Sequence, residues 1–369
     1  MPVTPISFPD RARPPTHCSR LPNQPTIAVV VPNFNDARYL PRCLRSVLEQ
    51  EVPPDEVLVV DDQSTDDSVT VIRSLIAGRP QARLMVNPVN LGTNATVNAA
   101  LRLVGSDYAL FLSANDFVLP GIFERARASL ARSPGIGLWS AMAWLVDDED
   151  RVIRLHPSAV VALRDAILAP DDCIRLAHRV GHWFTGTTAI YRRDALLGAG
   201  GFDPAYGAPG DLIAALVVAS RWGAAYAPEP FAAIRIHAGS FSSATLQDFG
   251  RLDAILQQVR ERAPRMSPAL FNAKFLERMA LRYYFAGFRA CGGAAVAELA
   301  ARTAGWQRVA VLSLEGLVPR ALRRLRLGLA YVILRPFDIV PTLWNRLLGW
   351  AVVRARARSP ASSLWRRPC

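Results

Sequence analysis

The pattern that most limits what this chain can fold into begins at Ile27. Short, branched apolar runs alternate with stretches of helical spacing, and each run ends in a polar cluster. "IAVVV" (27–31) reads as a strand buried on both faces. "ARYLPRCLRSVLEQ" (37–50) follows, with Leu40, Leu44, Val47 and Leu48 on one helical face. The alternation continues through strands at 56–60, 82–86 and 108–112 and helices at 66–77 and 93–104. Strand and helix in strict turn predict an α/β fold with a doubly wound, mainly parallel sheet flanked by helices.

The polar clusters are "PNFND", "DDQSTDD", "NPVNLG" and "SAND". Each sits at the carboxyl end of its strand, the edge where open α/β sheets hold ligands. Asn, Asp and Ser also cap helices and build turns. Four successive strands ending this way, with Asp61, Asp62, Asp66 and Asp116 among them, exceed what turn chemistry needs. No GxGxxG follows the first strand, and GxxxxGK[ST] is absent, which excludes a dinucleotide fingerprint and a P-loop. Phosphate bound here would depend on a metal ion or on distant cations.

Further along, residues 185–204 read as a strand, a short helix and a Gly-Gly turn. Residues 210–223 read as a helix with Asp211 at its start, where an Asp also serves as an N-cap. Residues 224–242 read as extended and carry Arg235 and His237. Beyond them the spacing predicts helices over 245–263, 267–287, 292–303 and 318–334.

This order of motifs resembles the family 2 glycosyltransferases, over roughly residues 27–242. "VVVPNFNDARYLPRCLRSVLEQ" is similar to their opening strand, turn and helix, and "VLVVDDQSTDDS" to their aspartate-rich second turn. "NLGTNATVNAAL", "GGFDP", Asp211 and "PEPFAAIRIHAGSFS" follow in the family's order. The resemblance implies a GT-A-type fold and inverting transfer of a sugar from a nucleotide diphosphate to an acceptor hydroxyl. By the same resemblance Pro32, Asn33, Asn35, Asp61, Asp62, Asn90, Asn98 and Ser113 would serve the nucleotide, with Asp62 the more exposed of the aspartate pair. Asn115, Asp116 and His237 would hold a divalent metal, Mg²⁺ or Mn²⁺, and Arg235 would face the diphosphate. Asp211 would be the catalytic base. The chain departs from the family at Ser113 and Asn115, where an Asp-x-Asp pair is usual, and at Gly210, where Glu is usual. Those departures suggest the alternative of a catalytically degenerate sugar-nucleotide-binding or scaffold protein.

The charge is uneven. Net charge is +12, and residues 317–369 hold eleven arginines against the single acid Asp338. No nucleic-acid-binding signature accompanies them. Leu322, Leu325, Leu329 and Val332 share a helical face there, and Trp344, Trp350 and Trp365 suit a membrane interface. The segment 320–353 therefore reads as an amphipathic stretch lying on an anionic membrane surface. A lipid-linked saccharide then becomes a natural acceptor. The five scattered cysteines form no CxxC pair and suggest a reducing compartment. Residues 1–26, rich in Pro with no apolar core, read as a loose leader without a signal peptide. The expected organisation is leader (1–26), catalytic domain (27–250) and helical basic extension (251–369). The expected location is the cytoplasm, at the inner face of the membrane.

Overall fold

The computed structural model describes residues 24–207, 209–236 and 245–335, with 343, 344, 347–349 and 351 of the tail. Strands β1 (Ile27–Asn33), β2 (Glu56–Asp61), β3 (Ala82–Val86) and β4 (Tyr108–Phe111) pair in parallel in the order β3-β2-β1-β4. Helices α1 (Leu40–Leu48), α2 (Ser68–Ile76) and α3 (Thr93–Leu103) connect them. The sequence reading holds here within a few residues because both signals are local. β1 and β2 are branched and buried along nearly their whole length, and α1 buries Leu40, Leu44, Val47 and Leu48 as its spacing requires.

The chain then departs from simple alternation. A two-residue strand β5 (Phe117–Val118) and helix α4 (Ile122–Arg132) precede β6 (Leu138–Val146). After β7 (Val152–Leu155), β8 (Ala166–Leu168) and α5 (Pro170–Val180) comes a 3₁₀ turn at Gly186–Thr188. Strand β9 (Ile190–Arg192) inserts between β4 and β6, antiparallel to both. Helices α6 (Arg193–Gly198) and α7 (Gly210–Trp222) lead to β10 (Ala224–Arg235), which runs parallel to β6. The sheet order is β3-β2-β1-β4-β9-β6-β10-β5, with β7 added to β6 and β8 to β10.

The C-terminal helices are α8 (Phe249–Met266), α9 (Ala273–Ala290), α10 (Val296–Ala301), α11 (Gly305–Leu317) and α12 (Arg323–Leu334). They pack on the sheet rather than standing apart. Leu252, Phe271, Phe288, Val311 and Ala330 share one apolar core with Leu138 and Tyr191 of the strands. Helix α11 falls where the sequence reading sets no helix.

Candidate functional site

The polar tips of β1 and β2 are tied together by their own side chains. Asn33 is buried; its amide donates to Asp61 Oδ1 (2.7 Å) and to Ser64 Oγ (3.1 Å). Asp61 is fully buried and also accepts the Ser64 N–H (2.9 Å). Ser64 Oγ in turn accepts the Asn35 N–H (2.9 Å). Asn35 has a left-handed backbone (φ 56°) and accepts from the Thr65 N–H (2.7 Å). Pro32 is half-buried beside Val60, while Phe34 at the tip is exposed.

Asp62 is the more exposed of the pair, as expected, but only at 4% against 0% for Asp61, so it is not an open carboxylate. It is buried, and its Oδ1 accepts the Asn87 amide (2.7 Å) and the Leu91 N–H (2.9 Å). Its Oδ2 accepts the Gly92 N–H (2.8 Å). Three donors thus meet its charge, and the carboxylate pins the β3–α3 loop to the end of β2. Asn90 lies exposed on that loop. Asn98 spends both ends of its amide on Phe202, donating to its carbonyl (2.7 Å) and accepting its N–H (2.8 Å). It fixes the turn of "GGFDP" before α7.

A second group forms where β4, the 3₁₀ turn and α7 meet. Asp116 closes a turn onto the Ser113 carbonyl (3.0 Å), leaving Ser113 exposed and Asn115 half-buried. The Asp116 carboxylate is 5% exposed; it accepts the Arg235 N–H (2.9 Å) on Oδ1 and the Thr187 hydroxyl (2.8 Å) on Oδ2. Burial pushes this carboxyl up to about 6, against both hydrogen bonds and the Arg235 charge. The like charge of Asp36, on the loop after β1, adds to the rise and shows that the β1 and β4 tips adjoin.

Asp211 stands one residue inside α7, where Pro209 holds the cap position. It is thus a first-turn acid that favours the helix dipole, not the N-cap. One side is open to solvent. Protein packs around the carboxyl closely enough that lost hydration pushes it up to about 6, opposed by hydrogen bonds from Leu212 and its own N–H. Gly186 leaves the room: a Cβ there would stand 2.8 Å from Asp211 Oδ2. Adjacent residues of one turn therefore touch the two raised carboxyls, Gly186 that of Asp211 and Thr187 that of Asp116.

Residues 28–197 match the family described as Glycosyl transferase family 2. Over those residues the chain is similar to a family 2 glycosyltransferase domain. An uncharacterized protein of Mycobacterium tuberculosis is 31% identical over 188 residues, 49% of this chain and 58% of that protein. The chondroitin synthase of Escherichia coli is 32% identical over 100 residues, 27% of this chain and 14% of the synthase. The chain thus spans little more than half the length of the first and a small part of the second. Among solved structures, the mannosyltransferase of Pyrobaculum calidifontis, in complex with GDP-Man and Mn²⁺, superposes with a TM-score of 0.53 at 20% identity. That match covers 92% of this chain and 89% of the other and supports the GT-A fold.

Arg235, expected to face the diphosphate, is engaged within the protein. Its guanidinium is buried and donates to the carbonyls of Asn115 (3.0 Å), Asp147 (2.7 Å) and Asp148 (2.9 Å), and it pairs with Asp150. A long side chain on a strand can reach sideways into a loop, and here the loop after β6 captures it. His237 lies outside the described residues. Sequence reasoning missed Ser64, Asn87, Gly186 and Thr187. Small turn residues of that kind carry no mark of what they touch 30 or 70 positions away.

Proposed function

We propose that this domain is an inverting glycosyltransferase moving a sugar from a nucleotide diphosphate to an acceptor hydroxyl, in cell-surface polysaccharide or glycolipid synthesis. The observation that carries the reading is the pair of raised carboxyls flanking the turn at Gly186–Thr188. Asp211 takes the proton of the acceptor hydroxyl as its oxygen bonds to the anomeric carbon. The bond from that carbon to the diphosphate breaks on the opposite face, and the nucleoside diphosphate leaves with the electron pair. Pro32, Asn35, Asn90 and Ser113 border the nucleotide, and the buried Asn33, Asp61, Asp62 and Asn98 set the walls behind them.

A divalent cation is the proposed cofactor, toward Asp116 with Asn115 and His237. Among the described residues no three His, Cys, Asp or Glu side chains form a cluster. One carboxylate still fits a hard cation that arrives with phosphates, since such ions need only one or two carboxylates. The Asp116 charge, disfavoured by burial, is what a cation would relieve. When bound, the ion supplies charge neutralisation at the diphosphate. The degenerate alternative is not favoured, because Asp211 and Asp116 are both present and placed together.

The test is a panel of nucleotide sugars followed by thermal unfolding and donor hydrolysis, with and without EDTA. One donor should raise the midpoint and be turned over, and EDTA should suppress both effects. Failure of every nucleotide sugar to stabilise the protein would end the reading; full activity in excess EDTA would end the cofactor assignment. Gly186→Ala is expected to slow transfer about a hundredfold, since its methyl displaces Asp211 and small misplacements of reacting groups cost that much. The displaced carboxylate is a mobile side chain, so the unfolding midpoint should hold. Initial rates equal to wild type would show that Asp211 position is immaterial.

A further inference from the structure

Helices α11 and α12 form an antiparallel hairpin. Gln307, early in α11, donates to the Ile333 carbonyl late in α12 (3.2 Å), and a short 3₁₀ turn at Arg320–Leu322 joins them. Their inner sides bury Val311, Leu314 and Ala330, and the Arg326 guanidinium lies on the carbonyls of Val318, Leu314 and Gly293. Their outer sides are apolar and open. Trp306, Val309 and Leu317 of α11 are 61, 66 and 79% exposed, and Leu325, Leu329 and Val332 of α12 are 50, 38 and 49% exposed. Six large apolar side chains on two touching helices make a patch of the kind that marks an interaction site.

The charge around the patch selects its occupant. Residues 305–335 contain six arginines and one acid, Glu315; Arg326 is spent inside the hairpin, while Arg308, Arg323 and Arg324 are exposed. A second copy of the chain would set one basic face against another, so electrostatics oppose self-association. Anionic headgroups above acyl chains satisfy both the arginines and the apolar stripe. No described helix is long and apolar enough to cross a membrane, so such contact lies along the surface. We propose that the outer face of the α11–α12 hairpin docks on an anionic lipid bilayer. This surface includes α11, outside the 320–353 segment that the sequence singles out.

The hairpin is also close to the cleft. In α9, the Phe285 ring packs edge-on against Tyr331 of α12, with centroids 5.4 Å apart. Tyr283, two residues earlier and so on the other side of α9, lies in the field of the Asp211 carboxylate. Two helices, α9 and α12 itself, each about 10 Å across, therefore lie between the docked face and Asp211. A saccharide carried on a lipid would be presented to the base from the bilayer; that last clause rests on the transferase reading, whereas docking does not.

The test is co-sedimentation of the full chain with phosphatidylglycerol-containing vesicles and with phosphatidylcholine vesicles. Binding should require the anionic lipid and weaken with added salt. The double variant Val309→Asp/Leu325→Asp alters exposed positions, so its unfolding midpoint and donor hydrolysis in solution should match wild type while vesicle partitioning falls at least about tenfold. Wild-type protein left in the supernatant, or a variant that partitions as wild type does, overturns the proposal. So does a dimer that these substitutions dissociate, since the face would then belong to a second copy. Asp211→Asn protein should still bind vesicles, so a failed transferase reading and a failed docking reading give different results.

Discussion

Asp211→Asn is expected to lower sugar transfer by about 10²–10⁴-fold, the range a positioned general base contributes, while leaving donor binding nearly unchanged. The amide has the same shape, so it keeps the contact with Gly186, and its oxygen still accepts the Leu212 N–H that Asp211 accepts at 2.6 Å. What it loses is the ability to take a proton. The pH profile supplies the second readout. A base must be ionised, and hydration lost to the protein packed around this carboxyl pushes it up to about 6, so activity should be full above pH 7 and fall as pH drops through 6. An ordinary carboxylate would hold activity down to about pH 4. Asp116, also raised to about 6 when no ion is beside it, would add to the same limb only where the cation is missing, because a bound cation would keep it ionised. In the Asn variant the residual rate should lose the Asp211 part of that dependence. Rates and donor affinity measured from pH 5 to 8 on both proteins decide the matter; wild-type turnover in the variant removes Asp211 from the mechanism.

What the sequence made legible follows from how local each signal is. The four parallel strands and α1–α3 declare themselves within single segments, by branched apolar runs and by helical spacing. Strand β6 is also a long apolar run, but no helix alternates with it, and the insertion of β9 between β4 and β6 is a pairing between distant segments. The C-terminal helices were displaced by several residues and α11 was unread, because an outer face bearing Trp306, Val309 and Leu317 blurs the polar half of the period. In the site, the aspartates could be picked out because acids at strand ends are costly unless used. Their roles could not. Nothing in "DDQ" tells that Asp61 binds Asn33 while Asp62 binds the next loop, and nothing in "TGTT" tells that one residue meets Asp116 and its neighbour Asp211. Arg235 misled because residue type suggests a phosphate partner, whereas reach and burial gave it backbone carbonyls.

That burial makes Arg235→Met the substitution with the largest expected effect on stability. The guanidinium side chain is 3% exposed, stacks 4.7 Å from the Tyr39 ring centre, and serves three carbonyls and the Asp150 carboxylate. Methionine fills much of the space but donates nothing, so buried acceptors lose their partner at about 1–3 kcal/mol each. The loop holding Asp147, Asp148 and Asp150 reaches the surface, and water will recover part of that cost. A net loss of about 3–5 kcal/mol is therefore expected, as for a buried ion pair stripped of one member. Lysine should rescue little, because a point charge cannot bridge several acceptors set in a plane. The same guanidinium holds the Asn115 carbonyl beside Asp116, so donor binding should weaken in any fraction that stays folded. Urea unfolding of the wild type, Arg235→Met and Arg235→Lys measures the first effect, and donor titration at low urea the second. Equal midpoints would mean that water replaces the guanidinium without penalty, and that the turn carrying Asp116 stands without it.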